Sequence, residues 1–358
     1  MKKVLVGILL AAAMIALVIP STFARGDKPK FKVAWSIYVG WMPWPYAEEA
    51  GILKKWADKN GIELELVQMD YIPSVEAYVA GKVDACVMTN MEALDMPSAS
   101  GIDTTAIIVG DFSNGNDAIC TVGIPTVKDL AGKSVSLVEL SVSHYLLARA
   151  LDLNGIGEKS LTLTNTSDSD IAPAFLSNSA KVKAVVTWNP MVMQVATAPN
   201  VATIFTSANI PGEILDLMVV RTEALKANPA LGRALTGAWY ETMKLMCERG
   251  GAADAALTKM ATRSGANLAE FKSQLGTTAM FYTAESALQY VTSGEIRDKM
   301  EFVRKFCFSH GLLGENASSV DVVGISYPDG SVQGDKGNVK LRFDASFMKL
   351  AAEGQLSK

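Results

Sequence analysis

The sequence predicts an α/β fold in which mostly parallel sheets are covered by helices. Three observations carry that prediction. Strand-like and helix-like runs alternate along most of the chain. Roughly 330 residues follow a short N-terminal leader, enough for two ordinary domains with cores of their own. Neither a repeat of solenoid period nor a low-complexity linker interrupts them.

The leader begins Met1-Lys2-Lys3, continues as an apolar run from Val4 to Ile19, and ends at Pro20, Ser21 and Ala24. A basic start, an apolar core too short for a comfortable bilayer span and a small final residue describe a secretory signal, 1–24, cleaved after Ala24. No Cys follows the run, so the expected product is a freely diffusing periplasmic protein rather than a lipid-anchored one.

From there the elements follow in order. Residues 31–36 read as a strand, 45–58 as a helix, and 62–69 as a strand whose apolar residues alternate. A helix over 74–80 is closed by Gly81, and strands follow at 85–89 and 105–109. A second unit opens near Asp117 with strands at 119–122 and 134–137. Its long helix, 143–153, has Ser143 as the expected cap and stops at Asn154-Gly155. A strand at 161–164, a helix at 171–176 and a buried strand at 184–187 complete the unit. After Pro211-Gly212 come helices at 229–249, 253–264, 268–275, 284–291 and 296–310. The tail from Val320 is turn-rich, with a short strand at 339–343, and is expected to wrap on the surface.

Charge and composition exclude several classes. The formal net charge of -4, with no basic stripe, makes nucleic acid and anionic lipid poor partners. Two His, His144 and His310, and no CxxC argue against a metal site. No P-loop or dinucleotide fingerprint asks for a cofactor. His144 lies beside Ser141 and Ser143, but no GxSxG elbow surrounds either Ser, so a catalytic triad is not expected. The four Cys admit two readings, buried thiols or one or two disulfides, with Cys86–Cys120 as the pairing to test first.

Several segments together carry a family resemblance. They are Trp35-Ser36-Ile37-Tyr38-Val39-Gly40-Trp41, Ala50-Gly51-Ile52-Leu53, Gly81-Lys82-Val83-Asp84-Ala85 and Val127 to Val135. Ser143-His144-Tyr145-Leu146-Leu147 and Val185-Val186-Thr187-Trp188-Asn189-Pro190 complete the set. In this order, from about Lys32 to about Pro229, the chain resembles the substrate-binding proteins of the nitrate, sulfonate and taurine class of ABC importers, which also holds thiamine-precursor binders. More narrowly it resembles the branch encoded beside urea carboxylase, whose members are associated with urea and with guanidine. The resemblance implies a periplasmic-binding-protein fold of two α/β lobes joined by two crossover strands, near 110–122 and 211–221. It places residues 25–114 plus 219–358 in lobe I and 115–218 in lobe II. It further implies a ligand in the interlobe cleft, hinge closure, a monomer, and a permease as partner.

The loops at the strand ends can be read for charge without any family name. Residues 35–46 hold three Trp and two Tyr and no charge. Asn90 and Glu92 follow one strand and Asp111 and Asp117 another. Glu139, Ser141 and Ser143 precede a helix, while Trp188 and Asp216 complete the group. None of these loops contains Lys or Arg, although an anion buried in the cleft needs positive charge or many donors. A flat cation fits better: carboxylates accept paired N–H bonds from a guanidinium, and Trp and Tyr faces attract cations. The expected ligand is guanidinium, with Trp35, Tyr38 and Trp41 as walls. Glu92 and one of Asp111 or Asp117 are its charged acceptors, and Asn90, Ser141 and Ser143 its neutral partners. The alternatives are urea, for which Asn90, Asn116 or Asn189 would matter more; a nitrate, sulfonate or taurine ligand; and, in other classes, an enzyme like the thiamine-precursor synthases or a solute sensor.

Overall fold

A computed structural model describes residues 28–177, 181–248 and 250–357, so the leader and its expected cleavage after Ala24 lie outside the described residues. The chain first lays down β1 (Lys30–Trp35), β2 (Glu63–Gln68), β3 (Ala85–Thr89) and β4 (Thr104–Ser113) in one sheet. It then crosses to a second sheet made of β5 (Ala118–Val122), β6 (Ser134–Leu137), β7 (Thr162–Asn165), β8 (Ala184–Thr187) and β9 (Val201–Thr206). With β10 (Leu215–Arg221) it returns to the first sheet, which β11 (Thr278–Met280), β12 (Gly324–Ser326), β13 (Val332–Gln333) and β14 (Val339–Phe343) complete.

The strand order is β13-β12-β14-β4-β10-β3-β1-β2 in the first sheet, with β11 on β4, and β7-β6-β8-β5-β9 in the second. Units of strand, helix and strand make β1 parallel to β2 and β3, and β6 parallel to β7 and β8. The strands that follow a crossing run the other way. β10 is antiparallel to β3 and β4, and β5 is antiparallel to β8 and β9. The sheets are therefore more mixed than alternation alone predicts, because a chain arriving from the other lobe enters against its neighbours.

Three local expectations need correction. The helix expected over 45–58 is two, Pro43–Glu49 and Ile52–Lys59, because Gly51 adopts φ 72°, a conformation glycine reaches without strain. The cap of the Val142–Asn154 helix is Ser141 rather than Ser143: its hydroxyl accepts the Ser143 N–H at 3.1 Å, so the helix starts one residue earlier. The tail does not wrap the surface. β14 pairs in parallel with β4, Leu341 and Phe343 are buried, and Phe347 packs where a Cβ on Gly232 would come within 2.4 Å of its ring. Strand β9 and the Met191–Ala196 helix were not anticipated from the sequence at all.

The two readings of the cysteines resolve to thiols. All four are free; Cys86 sits in β3 and Cys120 in β5, in the sheets of different lobes, so the pairing singled out from the sequence does not form. Among the described residues no helix is long and apolar enough to cross a membrane.

Two outcomes follow from this packing. A thiol reagent should label only the exposed Cys247 quickly in the native protein and all four Cys after unfolding, since burial pushes the Cys86 thiol up to about 12 and shields it. Gly237→Ala should lower the melting temperature although it removes a poor helix former. The added Cβ would lie 2.3 Å from the Trp56 ring, and overpacking of this kind costs about 1–3 kcal/mol against about 1 kcal/mol gained in helix propensity.

Candidate ligand-binding site

Between the lobes, beyond the ends of β1, β3 and β8, lies a small cavity among buried side chains, with about 20 Å³ open to the centre of a water molecule. Crevices at strand ends are where α/β sheets hold ligands. Tyr38, Trp41, Tyr71 and Trp188 form its walls. Their ring centroids are 5.0 Å apart for Tyr38–Trp41, 5.5 Å for Trp41–Tyr71 and 5.7 Å for Tyr71–Trp188. Val142 and Ile214 add apolar surface, and Thr89, Asp117 and Asp216 are the polar lining. Among the described residues no Lys, Arg or His faces it.

The carboxylates are organised in two groups. Asp111 and Asp216 stand opposite each other on the antiparallel β4–β10 pair, next to a bulge, and Tyr38 Oη donates to Asp111 Oδ1 at 2.9 Å. Asp111 Oδ2 is buried without a protein N–H partner. Burial, followed by repulsion from Asp111, holds Asp216 well above the carboxylate range, so Asp216 keeps a proton that it can share with Asp111. Burial pushes Asp111 up to about 7. Asp117, which accepts from Ser113 Oγ at 2.5 Å, is pushed up to about 7 by burial and then by repulsion from Glu92 and Asp111.

Glu92 forms the second group. It sits in the first turn after β3, fully buried, and accepts from the Thr89 hydroxyl and from Tyr71 Oη. Its Oε1 also accepts the Val142 N–H at 2.8 Å, from the first residue of the other lobe's Val142–Asn154 helix. Burial outweighs these bonds and raises its value.

Of the residues picked out from the sequence, the fold brings Tyr38, Trp41, Asp117, Trp188 and Asp216 to the cavity, with Asp111 and Glu92 directly behind. Others stand elsewhere. Trp35 is packed away from the cavity, with the Arg263 guanidinium 5.6 Å over its ring. Asn90 is spent on the crossover, donating to the Glu213 carbonyl at 3.0 Å and accepting the Leu215 N–H at 2.9 Å. Glu139 is exposed, because Leu140 at φ 60° turns the chain outward there. Ser141 is occupied as a helix cap, donating to the Val138 carbonyl, while the Ser143 hydroxyl is buried with no protein partner. Trp44 stacks on Trp239 in the core at 5.1 Å. Tyr71 and Thr89 were not singled out beforehand. Tyr71 opens the Tyr71–Val79 helix just after β2, so the strand-end rule applied elsewhere could have found it.

The amides that a neutral ligand would need are also engaged. Asn116 donates to Thr278 and accepts the Asn189 N–H at 2.9 Å, and Asn189 accepts the Met193 N–H at 3.1 Å.

The raised carboxyls make a pH prediction. A group whose value rises on folding keeps a proton that the unfolded chain has released, so it favours the folded state at low pH; this contribution fades as pH climbs from about 4 to about 7. The melting temperature of the ligand-free protein should therefore fall between pH 5 and 8. Asp117→Asn should raise it at pH 8 and flatten the profile, and an unchanged slope would show that this aspartate is not buried as described.

Comparison with known proteins bears on the fold. The family model described as NMT1/THI5 like matches residues 114–253. No curated protein sequence matches the chain. The alkanesulfonate-binding protein of Xanthomonas axonopodis pv. citri, bound to MOPS, superposes with a TM-score of 0.62 at 15% identity, covering 80% of this chain and 95% of that one. The aliphatic sulphonate binding protein of Escherichia coli gives 0.58 at 18% identity, over 77% and 94%. The nitrate-binding protein of Synechocystis gives 0.57 at 12%, over 92% and 99%. These likenesses, with two sheets linked by two crossings around a small cavity, establish that the chain has the periplasmic-binding-protein fold.

Proposed function

We propose that this protein is the extracytoplasmic solute-binding component of an ABC importer, that it delivers its solute to a membrane permease, and that the solute is a small planar nitrogen-rich cation, guanidinium in the first place. The binding role is supported by the fold, by the family likeness over 114–253 and by a cavity lined from both sheets' strand ends.

The observation that carries the ligand is the bond between Glu92 and Val142. A helix N-terminus opening on a cleft is a ready anion site, because its free N–H groups and its dipole favour negative charge. Here the protein's own carboxylate takes that place. With no cationic side chain in the lining among the described residues and with Asp117 facing the cavity, a sulfonate or nitrate would meet negative charge and no positive partner. A guanidinium would find carboxylate acceptors on one side and four rings around it, each ring worth about 0.5–2 kcal/mol as a cation–π partner.

Urea is the second reading, favoured by the proton held on Asp216, which offers an O–H to a carbonyl. The two ligands respond to pH in opposite ways. Guanidinium displaces protons from carboxyls that titrate at about 7, so its affinity should rise by up to tenfold per pH unit per proton as pH passes from 6 to 8. Urea should bind no better, or worse, over that range.

Calorimetry with guanidinium, urea, taurine and nitrate decides between them. The expected result is binding of guanidinium and none of either anion. Asp117→Asn should weaken guanidinium roughly ten- to a hundredfold, the loss of a charge-assisted bond of about 1.5–3 kcal/mol. Tight binding of nitrate or taurine would end the cationic reading.

A further inference from the structure

Both histidines of the chain, distant in sequence, converge on one carboxylate at the seam between the lobes. Glu158 Oε2 lies 3.0 Å from His310 Nε2, and Glu158 Oε1 lies 3.1 Å from His144 Nε2, the latter off the line of a good hydrogen bond. His144 and Glu158 belong to the lobe built on the second sheet. His310 ends the Glu295–Ser309 helix of the other lobe. Phe306 from that same helix packs its ring on both imidazoles, at 5.6 Å and 4.1 Å.

Hydrogen bonding fixes the protons. His144 Nδ1 accepts the Leu140 N–H at 3.1 Å, so the neutral ring carries its proton on Nε2, facing Glu158. That leaves Nε2 without the lone pair a metal ion needs, and the trio is not set as a metal centre. His310 differs. Its Nδ1 lies 3.0 Å from the Phe306 carbonyl and 3.1 Å from the Ser309 hydroxyl, and its Nε2 lies 3.0 Å from the Glu158 carboxylate, so the doubly protonated ring can donate to the carbonyl and the carboxylate together. The hydrogen bond with Glu158 raises the His310 value, and the bonds to His144 and then to His310 lower that of Glu158. The other charged groups at this seam are Arg149 and Asp152 on the Val142–Asn154 helix, Lys159 beside Glu158, and Lys305 on the helix of His310. Arg149 is already engaged by Glu213 at 2.8 Å.

The position gives the contact leverage. Met300 on the same helix meets Asn90 beside the crossover, and His310 lies about 15 Å further along the helix axis, away from the strands about which the lobes would turn. Opening there must part His310 from Glu158.

We propose that His310, Glu158 and His144 form a proton-operated latch that holds the lobes closed while His310 is charged and lets them part when it is neutral. Separated from Glu158, His310 returns to an ordinary histidine value of about 6.5. The latch is therefore fully present below that pH and lost as pH rises through the raised value of the closed form. Its pH response has the same sign as that of the buried cavity carboxyls, which also favour the compact state at low pH, so its own variants tell it apart, and it acts whichever solute the cavity takes.

The test uses ligand-free protein, so its outcome is separable from that of the ligand reading. With only two His in the chain, ring resonances can be followed individually from pH 5 to 9. One should titrate above 6.5 and return towards it in Glu158→Gln. Lobe separation is read in parallel by energy transfer between labels on Cys247 and on Leu176→Cys, both exposed and on different lobes. The closed fraction relative to the open one should fall by up to tenfold per pH unit across the same midpoint, and both His310→Gln and Glu158→Gln should remove that step, leaving only the contribution of the cavity carboxyls, which Asp117→Asn reduces. A His310 that titrates at the ordinary value, lobe separation indifferent to pH in the unmutated protein, or closure that requires added Zn²⁺ and is undone by a chelator would each overturn the latch.

Discussion

One buried carboxylate organises the centre of this molecule. Glu92 leaves the end of β3 in the first lobe and receives an N–H from the first turn of a helix in the second, while Thr89 and Tyr71 hold its remaining lone pairs. A carboxylate removed from water costs several kcal/mol unless donors surround it. Here the donor set is complete only when the lobes meet. Closure and the sign of the site are thus tied together: the same bond that draws the lobes into contact uses up the positive end of the helix.

Around that bond the interface is layered. Aromatic rings and aspartates occupy the middle, where water is excluded and charge is felt over short distances. Toward the edge the contacts become ionic and more accessible. Arg149 bonds to Glu213 and stacks on Phe302 at 4.5 Å, while on another face Asp168 accepts the Tyr71 N–H at 3.2 Å and Ser169 donates to Asp70 at 3.1 Å. The exposed Ser169–Asp70 contact is worth little by itself, whereas Arg149–Glu213, with only 14% and 4% of its side chains accessible, is a buried pair whose breaking would be costly.

Much of this was legible in the residues, for reasons that can be named. Strands end where ligands sit, so uncharged aromatic loops at strand ends led to Tyr38, Trp41 and Trp188, and acidic ones to Asp117 and Asp216. Side-chain direction was not legible. Trp35 closes β1, where successive residues face opposite sides, and it faces Arg263 rather than the cleft. Asn90 and Asn116 have the chemistry of ligand contacts, yet backbone groups of the second crossing claim Asn90, the Thr278 hydroxyl and the Asn189 N–H claim Asn116, and local sequence cannot show that. The same long-range pairing hid the antiparallel entry of β10 and the core position of β14, whose partners lie far away along the chain.

The place of β14 has a temporal consequence. Its partner β4 lies far earlier in the chain than residues 339–343, and until they dock β4 keeps an open edge on that side. Contacts between such distant parts of a chain form slowly. The second lobe, by contrast, is contiguous between the two crossings and can assemble as soon as it is translated. A chain part-way through folding would thus carry one finished half beside one that stays ajar, with unpaired backbone available to a chaperone, until β14 docks.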